Sequence, residues 1–385
     1  MKTRKKILCI TGTRADYPRI KSVLKEIDAN QNLDLSLVVT GSHLLEEYGS
    51  TINEIKKDKF IIDAEVHMFD ENYNTPKGMV KAVAKCIDGM SECLEKINPD
   101  LVLITVDRVE TLASAVAVAL MNFPIAHVQG GEVTGTIDES IRHAVTKLSH
   151  IHFPSTNDAA TRIIKMGEDA KNVFTVGCPY IDIINSIKFK SKNDISKQYG
   201  LDKNKDFIIF TQHAVTTEFG SSLEQIKISI EALREFTDYL VIAFYSNTDM
   251  GGQEIISEIN KEKNFVVIPN MDSADFLSLM NCAAVMVGNS SAAIREAPSF
   301  NLPAVNIGTR QNGRLRSLNI LDVNHNIEEI TNAIYKCLND DDFKQEIKKH
   351  KNPYGDGNSA KKIVKIIEDI EINESLIQKR IAYEI

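Results

Sequence analysis

The chain has 385 residues, 43% hydrophobic and 25% charged, and carries a net charge of -8. That length exceeds what one core usually spans, so two domains are expected. The acidic balance argues against a nucleic-acid or anionic-membrane surface role and leaves room only for a local basic pocket.

KILCIT (6–11) is a short run of β-formers, and GTRADYP follows it as a turn. Ile20, Val23, Leu24 and Ile27 then recur at helical spacing, with Pro18 tolerated in a first turn. LSLVVT, with its core at 36–40, predicts the next strand, and GSHLLEEYG a loop. A long helix is expected over 78–97, ending before Asn98-Pro99. LVLIT (101–105) reads as a buried strand, 109–121 as an alanine-rich helix, PIAHV (124–128) as a strand and 138–149 as a helix. IHFPS and VFTVG are expected to complete the first half. The alternation restarts with FIIFTQH (207–213), a helix over 221–235, and strands at 239–244, 264–268, 285–288 and 304–308 with helices between. Such alternation implies α/β architecture with parallel sheets covered on both faces. Two runs imply two Rossmann-like domains, dividing in the lysine-rich polar stretch near 180–205.

The basic start MKTRKK precedes an apolar run, ILCIT, far too short for a signal peptide, and no stretch approaches the roughly 20 apolar residues of a membrane span. Cys9, Cys86, Cys93, Cys178, Cys282 and Cys337 form no CxxC pair. They read as reduced thiols, mostly core filler, in a cytoplasmic protein.

In doubly wound sheets ligands sit beyond the carboxyl ends of the strands. TGTRAD, TGSHL with His43, TVDR, the stretch HVQGGEVTGTIDESIRH (127–143), TQHAVTTE, GNSS and GTRQNGR each follow an apolar strand, so one composite site is expected. TGTR (11–14) and GNSS (288–291) place glycine and hydroxyls where a helix begins, which suits an anion. Arg14, Arg310 and Arg314 suit phosphate oxygens. Neither loop matches GxGxxG or GxxxxGK[ST], so neither a dinucleotide fingerprint nor a P-loop applies. Asp107 closes the strand LVLITV and precedes Arg108. Thr136 or Asp138 is placed to cap the following helix, a role compatible with proton transfer. Glu132, flanked by glycine, is a candidate general base. His213 ends a strand, which favours a ligand-facing place. His127 reads equally well as a buried strand histidine, Arg142 or His143 faces the cleft, and His150 and His152 read as structural. Glu296 follows GNSS by about one turn, placed either for ribose hydroxyls or as a solvated charge. No HxH or HExxH spacing argues for a metal, so none is expected.

GTRADYP, VTGSHL, Asp107-Arg108, HVQGGEVTGTIDESIRHAVTKLSHIHF, TQHAVTTE, GNSS with IREAPSF, VNIGTRQNGR and NPYGDGNSA together resemble the UDP-N-acetylglucosamine 2-epimerase family. The nearest branch is the hydrolysing one, which supplies N-acetylmannosamine for sialic acid. The resemblance covers essentially 5–370. It implies a GT-B-like fold, with a cleft between two Rossmann-like domains and a C-terminal helix crossing back to the first. The expected division is 1–180 with about 358–385, and 181–357 for the UDP-binding domain. Arg14 and Arg310 would contact phosphate, Ser290 and Ser291 would hold phosphates at a helix N-terminus, and Glu296 would bind ribose. His213 would face the sugar-phosphate. His43, Arg108, Arg142 and Arg314 join the substrate-facing set, and Asp107, position 129 and Asp138 would form the acid–base set. The implied reaction eliminates UDP to a glycal-like intermediate and hydrates it to the free 2-epimer. No cofactor is required, and a homodimer or homotetramer is expected.

Four positions depart from the family pattern. Gln129 stands where the family has glutamate, Val106 where it has glycine before Asp-Arg, Ala214 where it has proline, and Pro18 where it has serine. Glutamine cannot carry a proton. Either Glu132 takes that role, or Gln129 only orients sugar or water while Asp107 and Asp138 make the transfers, or the substrate has shifted or the activity is lost. The same chemistry would serve UDP-N,N'-diacetylbacillosamine on the way to legionaminic acid. A non-hydrolysing epimerase, a GT-B glycosyltransferase and a UDP-sugar sensor are the rival readings.

Overall fold

The computed structural model describes residues 4–382, apart from 15, 47–49, 71, 72, 74, 134–136, 216, 217, 219 and 247–250. The chain forms two compact units: Met1–Asn185 with Tyr354–Ile385, and Ser186–Pro353.

Unit 1 holds β1 (Lys5–Thr11), β2 (Leu33–Thr40), β3 (Ala64–Val66), β4 (Leu101–Thr105), β5 (Ile125–Val128) and β6 (Ile151–Phe153). They form one parallel sheet in the order β3-β2-β1-β4-β5-β6. The chain starts in the middle and winds outward twice, so the topological switch lies between β1 and β4. Every residue of β4 is buried, as expected of a central strand with helices on both faces. One face packs against the helices Tyr17–Asp28 and Ser359–Asp369, the other against Pro76–Ile97, Val109–Leu120 and Ile137–Leu148.

The C-terminal helix belongs to this unit. The Asp182 carboxylate accepts hydrogen bonds from the first amides of that helix, Ser359 (2.9 Å) and Ala360 (2.6 Å). Lys5 donates to its last carbonyls, Ile367 (2.7 Å) and Ile370 (2.8 Å). A carboxylate at the amino end and an ammonium at the carboxyl end both complement the helix dipole. The tail beyond is held as well: Lys379 pairs with buried Glu168 at 2.7 Å. Burial raises the Glu168 pKa, but hydrogen bonds from His152, Lys147 and Lys379 outweigh it and hold the carboxyl at about 2. His152 is therefore structural, as its sequence context suggested.

Unit 2 holds β7 (Phe207–Thr211), β8 (Leu240–Phe244), β9 (Phe265–Ile268), β10 (Val285–Gly288), β11 (Ala304–Ile307) and β12 (Ile320–Val323). They too form one parallel sheet, in the order β12-β11-β10-β7-β8-β9, with its switch between β7 and β10. The lysine-rich stretch is not all linker. Lys192–Tyr199 is a helix, because Ser191 and Asp194 form a reciprocal capping box at its start. VFTVG is not a strand; only Val173 makes a single bridge, to His152. Among the described residues no helix is long and apolar enough to cross a membrane.

Candidate active site

The candidate residues of unit 1 lie on loops leaving β1, β2, β4 and β5. In the TGTR loop the Asp16 carboxylate accepts from the amides of Gly12 (2.9 Å) and Thr13 (2.8 Å) and the hydroxyl of Thr11 (3.0 Å). The amides expected to greet a foreign anion already hold one from the chain. Arg14 in the same loop is exposed. His43 is buried, its Nε2 3.1 Å from the Thr11 hydroxyl and its Nδ1 2.7 Å from that of Thr51. Burial lowers its pKa against the opposing pull of Asp16. His43, expected on sequence to face the substrate, thus ties the segment after β2 to the end of β1 through both ring nitrogens.

Past the end of β4, Val106 adopts φ 61°, a left-handed conformation that costs a β-branched residue about 1–3 kcal/mol. The position is one where the resembled family carries glycine. The strain is held by His127, whose Nε2 donates to the Val106 carbonyl at 2.8 Å while its Nδ1 lies 3.2 Å from the Thr146 hydroxyl. Burial drives the His127 pKa down to about 3, so the ring is neutral. Of its two readings, His127 is the buried strand histidine, and it fixes the turn that presents Asp107.

Asp107 is bound tightly by Arg142, whose side chain is 3% exposed. The same guanidinium donates to the Glu132 carbonyl at 2.6 Å, so one arginine joins the turn after β4 to the HVQGGE turn after β5. Arg108 lies 3.4 Å from Asp138 in a more exposed pair. Asp138 stands in the first turn of the helix Ile137–Leu148; Thr136, the other capping candidate, is outside the described residues. Gly131 adopts φ 76°, and a Cβ there would come within 2.4 Å of the Ala159 carbonyl, which is why this turn takes glycine. His143 lies 3.7 Å from Glu139, and burial lowers its pKa.

Gln129 is 1% exposed and also left-handed, at φ 64°. Its Oε1 accepts from Arg19 at 3.1 Å, and its Nε2 donates to the Cys178 sulfur. The amide is tied at both ends.

In unit 2 the organiser is Asn289, which follows β10. Its side chain accepts from the His213 amide (2.7 Å) and donates to the His213 carbonyl (2.8 Å). Its carbonyl accepts from Gln311 (2.8 Å) and Arg310 (3.3 Å). Thus the loops after β7, β10 and β11 are bound together, bringing His213, Ser290, Ser291 and Arg310 into one neighbourhood. Burial, then the Arg310 charge, lowers the His213 pKa to about 3, leaving a neutral imidazole beside a guanidinium. Ser290 caps the short helix Ser291–Arg295, and Glu296 follows it. Arg316 donates to the carbonyls of Gln311 (2.6 Å) and Arg314 (2.7 Å), shaping the loop that carries Arg314.

Asp16, Arg19 and Asn289 were not singled out from sequence. Asp16 and Asn289 lay within quoted loops, and their short side chains are typical binders of nearby backbone. Arg19 gave no local signal, since its partner is 110 positions away. Among the described residues no group of three His, Cys, Asp or Glu could hold a metal.

A family model described as UDP-N-acetylglucosamine 2-epimerase matches residues 25–368. The chain belongs to the UDP-N-acetylglucosamine 2-epimerase family. A UDP-N,N'-diacetylbacillosamine 2-epimerase (hydrolyzing) of Legionella pneumophila is 37% identical over 98% of this chain and 100% of its own. A UDP-N-acetylglucosamine 2-epimerase of Neisseria meningitidis is 36% identical over 86% of this chain and 87% of its own. Among solved structures, the Neisseria meningitidis UDP-GlcNAc 2-epimerase bound to UDP-GlcNAc superposes with a TM-score of 0.82 at 19% identity, covering 94% of this chain and 99% of that one. The fold is therefore the GT-B-like one expected from the resemblance.

Proposed function

We propose that this epimerase-family member is a hydrolysing 2-epimerase of a UDP-linked 2-acetamido sugar, with UDP-N,N'-diacetylbacillosamine as its substrate. The observation that carries the reading is the pair of carboxylates, Asp107 after β4 and Asp138 in the first turn of the helix after β5, each set against a guanidinium. The name of the Legionella relative, similar along its whole length, supports the diacetamido sugar. The Neisseria relative, nearly as similar, favours UDP-N-acetylglucosamine as the second reading.

In the proposed reaction a base of unit 1 takes the C2 proton. The C–H electron pair becomes a C1=C2 double bond, and the C1–O bond breaks with its pair leaving on the β-phosphate oxygen. Water then adds its oxygen to C1 and gives up a proton, while a second acid protonates C2 from the opposite face. Free 2-epimer and UDP result. Because a C2–H is a weak acid, departure of the diphosphate needs strong electrostatic help. Arg14, Arg310, Arg314 and the Ser290–Ser291 turn are assigned that task, Glu296 the ribose, and neutral His213 a hydrogen bond to the sugar-phosphate. Two faces of one carbon require two proton carriers. Gln129 orients; it does not transfer. A cytoplasmic homo-oligomer acting in nonulosonic acid synthesis completes the proposal.

Turnover of each UDP-sugar, followed by chromatography of UDP and free sugar, tests it. A kcat/KM at least about tenfold higher for the diacetamido sugar, equivalent to about 1.4 kcal/mol, supports the first reading. A UDP-linked product would indicate a non-hydrolysing epimerase, and no turnover without an acceptor would indicate a transferase or a sensor.

Asn289→Ala tests the second unit. It removes the two hydrogen bonds that Asn289 makes to the His213 backbone, at about 0.5–1.5 kcal/mol each. The expected result is weaker UDP binding by calorimetry, roughly tenfold or more, with a lower Tm. Unchanged UDP affinity would remove Asn289 from the account.

A further inference from the structure

Glu110 is a buried carboxyl that the assignments above do not use. It sits in the first turn of the helix Val109–Leu120, three residues after Asp107, and is 5% exposed. Its side chain crosses directly over two glycines that follow β1 and β2. A Cβ on Gly12 would lie 2.8 Å from the Glu110 Cβ, and one on Gly41 would lie 2.6 Å from its Cγ and 2.8 Å from its Oε1. Both loops thus carry glycine at the points where Glu110 passes, at the switch of the unit 1 sheet where ligands of such sheets bind. Its Oε2 is buried and has no hydrogen-bond partner among the described residues. A lone carboxylate oxygen in that setting is costly to the fold and is expected to serve a ligand.

We propose that Glu110 is the proton carrier that replaces the family glutamate absent at Gln129, its free oxygen meeting the sugar at C2. The proposal rests on the reading given under Proposed function. In the elimination step the Glu110 carboxylate takes the C2 proton while UDP leaves with the C1–O pair. In the hydration step a second carboxyl of the unit 1 set delivers a proton to the other face of C2. Asp107 is paired with Arg142 and Asp138 with Arg108. Burial pushes the Glu110 pKa up to about 7, with Asp16 and Asp138 adding and its own amide and Arg108 opposing. A proton carrier titrating near neutrality is matched to work in either direction. The groups facing it are Arg108 before its own helix, Asp16 with His43 beside it, Asp138 and the thiol of Cys86.

The test is Glu110→Gln, nearly isosteric, in the full-length enzyme assayed with both UDP-sugars. The expected result is a kcat lower by about 100-fold or more, the scale of general acid–base catalysis, with KM little changed and the near-neutral limb of the pH–rate profile gone. Glu110→Asp should keep that limb with intermediate kcat. Stability separates this from a structural part. The folded-state pKa is raised from 4.5 to about 7, so the stability Glu110 contributes is full below pH 4.5 and lost as pH rises through about 7. At pH 8 the Gln variant should therefore melt at or above the wild-type temperature. A lower Tm with an unchanged kcat and pH profile would overturn the proposal. If the Gln variant does not fold, an Asp variant with the wild-type kcat and an unmoved pH limb would overturn it. Wild-type enzyme inert toward both sugars would instead sink the reading of function beneath it.

Discussion

Arg142→Met is expected to destabilise unit 1 by about 3–5 kcal/mol, the cost of removing a buried arginine from the partly buried Asp107 carboxylate and the Glu132 carbonyl. Arg142 is almost wholly buried, and it neutralises Asp107 while satisfying the Glu132 carbonyl. Methionine replaces the volume of the arginine stem but neither hydrogen bond. For a unit of this size the loss corresponds to a Tm lower by roughly 6–20 °C. The double variant Asp107→Asn/Arg142→Met should recover much of it, because the stranded carboxylate is then gone. A change below about 1 kcal/mol, typical of exposed pairs, would mean that Asp107 is solvated and that the arginine does not organise the site.

Asp107→Asn carries the second large effect. The amide keeps the shape of the carboxylate and can still accept a hydrogen bond from Arg142, but it cannot carry a proton. The expected kcat is lower by at least about 100-fold, with KM changed only a few-fold. Steady-state kinetics on the preferred UDP-sugar decides it. A kcat within a few-fold of wild type would reduce Asp107 to a partner of Arg142, and the acid–base work would rest on Asp138 and Glu110. A large rise in KM with kcat preserved would make Asp107 a binding group.

Much of this arrangement was legible because central strands in parallel sheets are apolar throughout. LVLIT and FIIFT announce β4 and β7, and the glycine- and hydroxyl-rich turns after such strands mark the ligand end of each sheet. The edges were not legible. β3 is three residues with an exposed Glu65, and β12 holds an exposed Asp322, so neither shows the run that betrays a buried strand. The site was legible by loop but not by partner. Gln129 was recognisable as a residue unable to move protons. Its tie to Arg19 and Cys178 depends on chain segments far apart in sequence. The TGTR amides looked open to an anion because Asp16, three residues past Thr13, reads as an ordinary turn residue until its carboxylate is seen folded back on them. Glu110 drew no notice within the alanine-rich helix expected over 109–121. Only its burial over two glycines sets it apart.

The most direct test of the account is proton NMR of the wild-type enzyme with UDP-N,N'-diacetylbacillosamine, and in parallel UDP-N-acetylglucosamine, in deuterated water. Free 2-epimer carrying deuterium at C2 is expected, with one UDP released for each sugar formed. A free sugar that keeps its C2 proton, a product still linked to UDP, or no change with either substrate would contradict it.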